Sequence, residues 1–501
     1  MRLRLDRFLL ATALCSLPAT FLVGSPAATG QTTATRGSAQ PRELQGAYRF
    51  ERAHWIYVHL QGSPHQIGLQ HGYLLAPEID DTFHDVRLEN MHATGRSWQF
   101  FRDTGKNIYW PHIEPEYRQE LQGIADGVRA HGIRDMDVWD VLALNALFET
   151  EDYYVPYLEE KEHGKAPASL KPPGNCSAFV ATGDWTRDHR PVIAHSMWTS
   201  FPKGERWRIL FDIAPQHGHR ILMDGLPGKL DSGDDFGMND AGIEITETTI
   251  TGFKLFDPNG IPEFIRARKA MQYAGSIDDF ARIMVEGNNG GYANDWLVAD
   301  NHRNEVARLE LGLKFHKLWR TRNGYFVGSN FPSDPTFIRT ETDFNPNDPS
   351  SSPNARHIRW KQLMAQYKGK IDATMAQQFL ADHFDTYTGK ERPSERTLCG
   401  HVDVSRRGIP EWGYPPYNPA GAVNAKAADS SMASRMSFLA RAGRPCGQGF
   451  QAASFLKRHP EFDWEKPALE DMPGNRWASF QSNDHAHWTI TQTDGREGDQ
   501  K

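Results

Sequence analysis

The run Lys171-Pro-Pro-Gly-Asn-Cys176-Ser-Ala-Phe-Val-Ala-Thr182 decides how this chain is read. Two prolines and a glycine stop any helix from continuing through it, and the Ser-Ala-Phe-Val-Ala-Thr segment behind them has strand character. Cys176 therefore opens a strand directly after a breaker-rich leader. Cutting the leader away would give Cys176 a free α-amine, the arrangement an N-terminal nucleophile needs. The same spacing suits a small buried thiol with no chemistry, because free cysteine packs as a hydrophobe. Spacing alone leaves both readings open.

Cysteine arithmetic adds weight to chemistry. Of four cysteines, Cys15 lies in an apolar N-terminal stretch and Cys399 and Cys446 fall together near the C-terminus. In an exported chain the latter two are expected to pair as a disulfide, which leaves Cys176 over. Such a bridge would close a loop of about 45 residues, worth roughly 4 kcal/mol on the chain-entropy model. Export is expected because the first seven residues are basic, Phe8 to Val23 is mostly apolar and Ser25-Pro-Ala-Ala28 offers small residues for cleavage. Leu14 before Cys15 is wrong for a lipoprotein signal. The reading is a signal over 1–28 and a periplasmic or secreted protein, with no later run long enough to span a bilayer.

The chain has 501 residues and a net charge of −7, with acids and bases interspersed and no basic block, so nucleic acid is not an expected partner. There is no His-Glu-x-x-His, and Cys399 and Cys446 stand too far apart for a zinc finger, so neither metal nor cofactor is expected. A Gly-x-Ser-x-Gly elbow and a phosphate-binding loop are also missing from the sequence.

Organisation follows from breakers and periodicity. Residues 29–47 read as a disordered lead-in and 48–158 as a first folded segment, with helices at about 114–130 and 137–149. Glu159 to Asn175 is charged and proline-rich, an exposed linker cut or trimmed on maturation. From Cys176 to 501 strands dominate, at 176–182, 191–197, 207–213, 220–223, 242–250, 296–300 and 306–311. Helices are expected at 262–274, in a segment capped by Ser276 with Asp279, and at 355–367, 373–382 and 429–441. Helices, strands, helices and strands in that order argue for an α+β architecture of sheets covered by helices.

The motifs then supply a resemblance. Asn175-Cys-Ser-Ala-Phe, Ile193-Ala-His-Ser-Met-Trp198, Pro227-Gly, Asp234-Asp-Phe236, Glu247-Thr-Thr-Ile250 and Gly290-Gly-Tyr-Ala-Asn-Asp-Trp296 stand in this order. Together with Ala428-Asp-Ser-Ser-Met-Ala-Ser434, they resemble the successive motifs of the phospholipase B-like family across most of 176–480. Gln70-His-Gly72 and Leu121-Gln-Gly-Ile-Ala-Asp-Gly127 are similar to C45 acyl-transferring peptidases. Both groups are N-terminal nucleophile hydrolases, so the resemblance implies a four-layer αββα sandwich that cuts itself before its nucleophile. Gly233 stands where the family often has cysteine, and Gly237-Met-Asn-Asp-Ala-Gly242 is closer to the C45 and bile-salt-hydrolase pattern.

Carried over residue by residue, the resemblance implies self-cleavage at Asn175–Cys176 into two fragments that stay together, with Cys176 as nucleophile. Asn294 would help stabilise the oxyanion. His195 and Trp198 would flank the nucleophile's amine, Thr249 (or Thr248) would lie in the oxyanion region, and Arg308 would orient the site. The structural readings stand beside these: Asn294 as a turn residue, His195 as a core histidine, Trp198 as packing and Arg308 in an ion pair with Glu310. The implied activity is cleavage of an acyl ester or amide in a lipid or small acylated molecule, phospholipid deacylation first. A lysosome-like compartment is implied if the source is eukaryotic. The alternatives are a C45-type amidase or acyltransferase on N-acyl amines or small peptides, and an exported binding protein that keeps the fold without turnover.

Overall fold

Most strands of this chain are buried along nearly their whole length, so side chains on both faces must be covered, and that is what stacks the molecule into layers. The computed structural model describes residues 42–164, 176–234 and 236–485. The expected signal, most of the lead-in, the end of the linker and Asn175 lie outside the described residues. Of the lead-in, Arg42–Leu44 forms a short helical turn with Leu44 buried, and the Glu43 carbonyl accepts from Gln70 Nε2 at 2.8 Å. The Val155–His163 helix runs into the expected linker, so its first residues are ordered, not extended.

The strands in chain order begin with β1 (Tyr48–Arg52), β2 (Trp55–Gly62), β3 (Ser177–Thr182), β4 (Val192–Ser200), β5 (Ile209–Pro215) and β6 (Ile221–Gly225). Next come β7 (Gly237–Asn239), β8 (Ile243–Thr249), β9 (Asn294–Asp300), β10 (Glu305–Leu311), β11 (His316–Thr321) and β12 (Gly324–Gly328). The last are β13 (Phe384–Asp385), β14 (Lys390–Glu391), β15 (Ala420–Asp429), β16 (Ser437–Ala442) and β17 (Ala478–Gln481). Nine form one sheet in the order β1-β2-β5-β6-β7-β8-β9-β10-β11, and six form a second in the order β12-β3-β4-β15-β16-β17. Within these two sheets β2 and β5 run parallel and the other described pairs antiparallel.

Strand alternation sends successive residues to different layers. In β3, Ala178 and Val180 enter a core shared with Tyr57, Leu210, Leu222 and Leu297 of the larger sheet. Phe179 and Ala181 face the other way, onto Trp360 and Leu363 of the Ser352–Gln366 helix and Phe379 of the Ala373–Leu380 helix. On the far side of the larger sheet, Ile209, Phe211, Ile245 and Val298 meet the helices of residues 64–145 and 263–285. The layers are therefore helix, sheet, sheet, helix. That is the αββα sandwich the resemblance implied, reached from side-chain direction alone.

One expectation is corrected. Residues 429–441 are not a helix: β15 runs to Asp429, a single turn spans Ser430–Ala433, and β16 follows. The central strand β15 has alanine at 420, 422, 425, 427 and 428, and it is buried on both faces between β4 and β16. Alanine favours helices in isolation, but here small side chains are what a doubly covered strand can hold.

The motifs similar to C45 proteins make a helix crossing. A Cβ on Gly72 would lie 2.0 Å from the Ile124 carbonyl oxygen and one on Gly127 2.2 Å from that of Leu69, so the Pro64–Leu74 and Pro115–His131 helices touch backbone to backbone. Between these glycines, His71 Nε2 accepts from the Gly228 amide at 2.9 Å.

Candidate active site

Cys176 is fully buried at the mouth of β3, with φ at +119°, a region L-residues rarely enter. Its sulfur lies 3.8 Å from Glu247 Oε1. Its carbonyl oxygen accepts from Arg356 Nη1 at 2.6 Å. The same arginine reaches Ser177 Oγ at 3.3 Å, Asn330 Oδ1 at 2.7 Å and Ser352 Oγ at 3.0 Å, so its fork is spent on fixing the residues around the nucleophile. Arg356 is itself buried, its guanidinium 4.4 Å over the Trp198 ring, and desolvation pulls its pKa down to about 9.

Glu247 sits at the centre because β8 places Glu247 and Thr249 on one face. Tyr292 Oη donates to Glu247 Oε1 at 3.4 Å, and Thr249 Oγ1 donates to Tyr292 Oη at 3.1 Å. Asn294, oriented to satisfy its amide, donates from Nδ2 to Glu247 Oε2 at 2.8 Å and to the Ala293 carbonyl at 3.0 Å. Asn330 Nδ2 donates to the Thr249 carbonyl at 2.8 Å, closing a ring of contacts from Cys176 through Arg356 and back to β8. Burial raises the Cys176 thiol well above its ordinary value, with Glu247 and Asp234 adding to the effect; the Trp198 backbone amide, hydrogen-bonded to the sulfur, opposes them. A thiol in this setting needs a base to become nucleophilic.

His195, next along β4, lies 3.7 Å from Asp234 Oδ2. Among the described residues neither of its ring nitrogens has a hydrogen-bond partner. Burial and then Lys426 lower its pKa to about 3, so it stays neutral across the working range. Lys426 is held by Asp224 at 2.8 Å and by Asp234, a buried charge cluster completed by Ser232. Gly233 fits this turn because φ is +81° and a Cβ would meet Trp207 at 2.5 Å. Asn239 of the Gly237–Gly242 pattern holds the Met271 and Ala274 carbonyls, which ties a strand to a helix end.

The structure thus gathers Cys176, His195, Trp198, Thr249 and Asn294 around one point. Arg308 is engaged by Asp295 at 2.6 Å and Glu310 at 3.1 Å, the ion-pair arrangement weighed for it from the sequence. Asn175 lies outside the described residues. Sequence reasoning missed Glu247, although its motif was in view, and it missed Arg356. The signal for Arg356 was an arginine four residues before Trp360 and seven before Leu363, standing in the apolar stripe of its helix.

The phospholipase B family model matches residues 82–319, which takes in Cys176, His195, Glu247 and Asn294. The likeness to the phospholipase B family in that model covers just under half of the chain. Human phospholipase B-like 1 is 24% identical over 76% of this chain and 75% of its own length. An uncharacterized protein of Archaeoglobus fulgidus is 28% identical over 50% of this chain and 42% of its own. Putative phospholipase B-like 2 of Rattus norvegicus is 28% identical over 28% of this chain and 27% of its own. The chain thus spans less than half the length of these last two relatives. A variant of the conjugated bile acid hydrolase of Clostridium perfringens aligns over 63% of this chain and all of that one, at 9% identity and a TM-score of 0.31. A likeness that low carries no argument, and the fold rests on its own four layers.

Cys399 and Cys446 come together across the fold, as the sequence expects, but as free thiols; the expected disulfide is not formed. His401 Nε2 stands 3.4 Å from one sulfur and 3.7 Å from the other.

Proposed function

We propose that this protein is an acyl hydrolase that becomes active when the chain is cut before Cys176. The observation that carries the reading is the strained, buried Cys176 held between Glu247 at its sulfur and Arg356 at its carbonyl. In the uncut chain the sulfur attacks the Asn175 carbonyl, Glu247 takes the thiol proton and passes it to the Cys176 nitrogen, and the acyl group moves from nitrogen to sulfur as the C–N bond breaks. Water then releases the Asn175 carboxylate and leaves a free thiol and α-amine on Cys176. An α-amine titrates near pH 8, so it serves as the base in turnover. The thiol forms a thioester with the substrate's acyl group, the alcohol or amine leaves with the proton, and water hydrolyses the thioester. Asn294 Nδ2 is the side-chain donor for the oxyanion.

The relatives and a cavity of about 490 Å³ lined by Phe148, Thr199, Lys203, Trp412 and Trp464 support a lipid-like acyl substrate. Phe148 stacks on Tyr292 at 5.2 Å, and Tyr292 touches Glu247, so this cavity is two residues from the nucleophile. Aromatic walls of this size suit an acyl chain, and phospholipid deacylation is the leading activity. Glu89, Glu151 and Asp152 on the same walls suit a substrate that also carries a cationic group, such as an amine-bearing headgroup. We further read the protein as exported.

The test is direct. Wild type should appear as two associated fragments with Cys176 at a new N-terminus, and Cys176→Ala as one chain. A Cys176→Ala protein cut at the same bond would sink the mechanism. The cut form is then assayed on phospholipids and on N-acyl amino acids; fatty acid from the second substrate alone would move the assignment to an amidase.

A further inference from the structure

Away from the Cys176 site, three loops converge on one buried point. His383 follows the Ala373–Leu380 helix, Cys399 and His401 flank Gly400 in the next loop, and Cys446 lies just beyond β16. One ligand atom from each of the four residues lies within 4.8 Å of every other. His383 Nε2 and His401 Nε2 are 3.1 Å apart, and His401 Nε2 is 3.4 Å from Cys399 Sγ and 3.7 Å from Cys446 Sγ.

These separations are the edges of a tetrahedron around a metal. Zinc bonds of about 2.0–2.1 Å to nitrogen and about 2.3 Å to sulfur set N–N edges near 3.3 Å and N–S edges near 3.6 Å. A disulfide would consume both sulfurs and give the two imidazole nitrogens nothing to do. A hydrogen bond between the nitrogens would occupy only that pair. Four donors aimed at one centre are explained together by a cation, and a tetrahedral S2N2 set selects zinc.

We propose that His383, Cys399, His401 and Cys446 form a structural zinc site that braces the loop beneath the Cys176 site. The set supplies four protein ligands and leaves no position for substrate, which is the pattern of a structural site. Its reach to the nucleophile is short. Gly400, between two of the ligands, packs so tightly on Trp198 that a Cβ there would come within 2.4 Å of the ring. Trp198 carries Arg356, and Arg356 holds the Cys176 carbonyl. The absence of a zinc motif in the sequence is no obstacle, because Cys446 lies 45 positions after His401 and only the fold brings it back.

The experiment uses the full chain purified without chelator. Elemental analysis should find one zinc per chain, falling to a small fraction in Cys446→Ser and in His383→Ala. Replacing zinc with cobalt(II) in the wild-type chain should give the strong visible bands of tetrahedral sulfur-ligated cobalt, a readout that does not depend on any variant folding. Removal of the metal with a chelator should lower the melting temperature of wild type and leave Cys446→Ser unmoved. A Cys399–Cys446 disulfide in a peptide map of the protein as purified without chelator, or cobalt spectra lacking sulfur-to-metal bands, would overturn the site. The outcome is independent of whether Cys176 acts as a nucleophile.

Discussion

At Cys176 the backbone angle and the electrostatics point the same way. A φ of +119° on an L-residue costs on the order of 1–3 kcal/mol and persists only where surrounding contacts hold it, as Arg356 does here. Cutting the preceding peptide bond removes that constraint, so strain is stored at the bond that the mechanism breaks. Before cutting there is no α-amine, and Glu247 is the carboxylate within reach of the sulfur. Glu247→Gln should therefore slow self-cutting by about 10²- to 10⁴-fold, the range for loss of a general base; gel analysis of freshly made protein over time measures it. An unchanged cutting rate would remove Glu247 from that role. His195→Ala should still be cut, because its neutral ring makes no hydrogen bond to the reacting groups, and should turn over more slowly. Full activity with an unchanged pH profile would reduce His195 to a packing residue.

The Ser352–Gln366 helix shows what an element does for the site. Its Trp360 and Leu363 pack on β3, and its Arg356, one turn earlier, reaches past the sheet edge to Cys176, Ser177 and Asn330. Arg356→Lys keeps the charge but loses the planar fork, and each charge-assisted hydrogen bond lost costs roughly 1.5–3 kcal/mol. We expect a lower melting temperature and slower self-cutting together. A folded, fully cut Arg356→Lys protein with wild-type stability would show that the helix serves packing alone. This element was legible as a helix from its periodicity, while its role was not, because an arginine in an apolar stripe shows neither its partners nor the sheet it crosses. Cys176, His195 and Asn294 came into view through short motifs, Cys176 and Asn294 where a strand begins and His195 within one.

Across the whole molecule, buried titratable groups set how stability responds to pH. Burial lowers His71, His195 and His357 from 6.5 to about 3, so between those values the unfolded chain takes up protons the folded one refuses. Their contribution is complete above pH 6.5 and is lost as pH falls toward 3. Glu244 and Glu465 act in the opposite sense: burial raises them from 4.5 to about 8 and about 9, so the folded chain keeps protons the unfolded one releases. Their contribution is complete below pH 4.5 and is lost as pH rises through 8 and 9. Between pH 4.5 and 6.5 the two sets change in opposite directions, three histidines gaining and two glutamates losing as pH rises, so stability should peak near pH 6.5 and decline on both sides. Thermal melts from pH 3 to 9 measure this, and a maximum above pH 7.5 would contradict it.

Local chemistry determined much of this protein. Prolines and glycines ended elements, alternation marked strands, Ser276 capped its helix as expected, and ordered motifs carried the family likeness, because each acts over a few neighbouring residues. Tertiary structure decided the rest. Residues 429–441, expected as a helix, form a turn and β16, and the preceding β15 is rich in alanine because two neighbouring strands and a layer on each face leave room only for small side chains. Arg356 joined Cys176 from 180 residues away, and Cys446 joined His401 from 45. Such distances carry no signature along the chain, since the contact exists only after loops have closed around a packed core and buried polar groups have found the partners that burial requires.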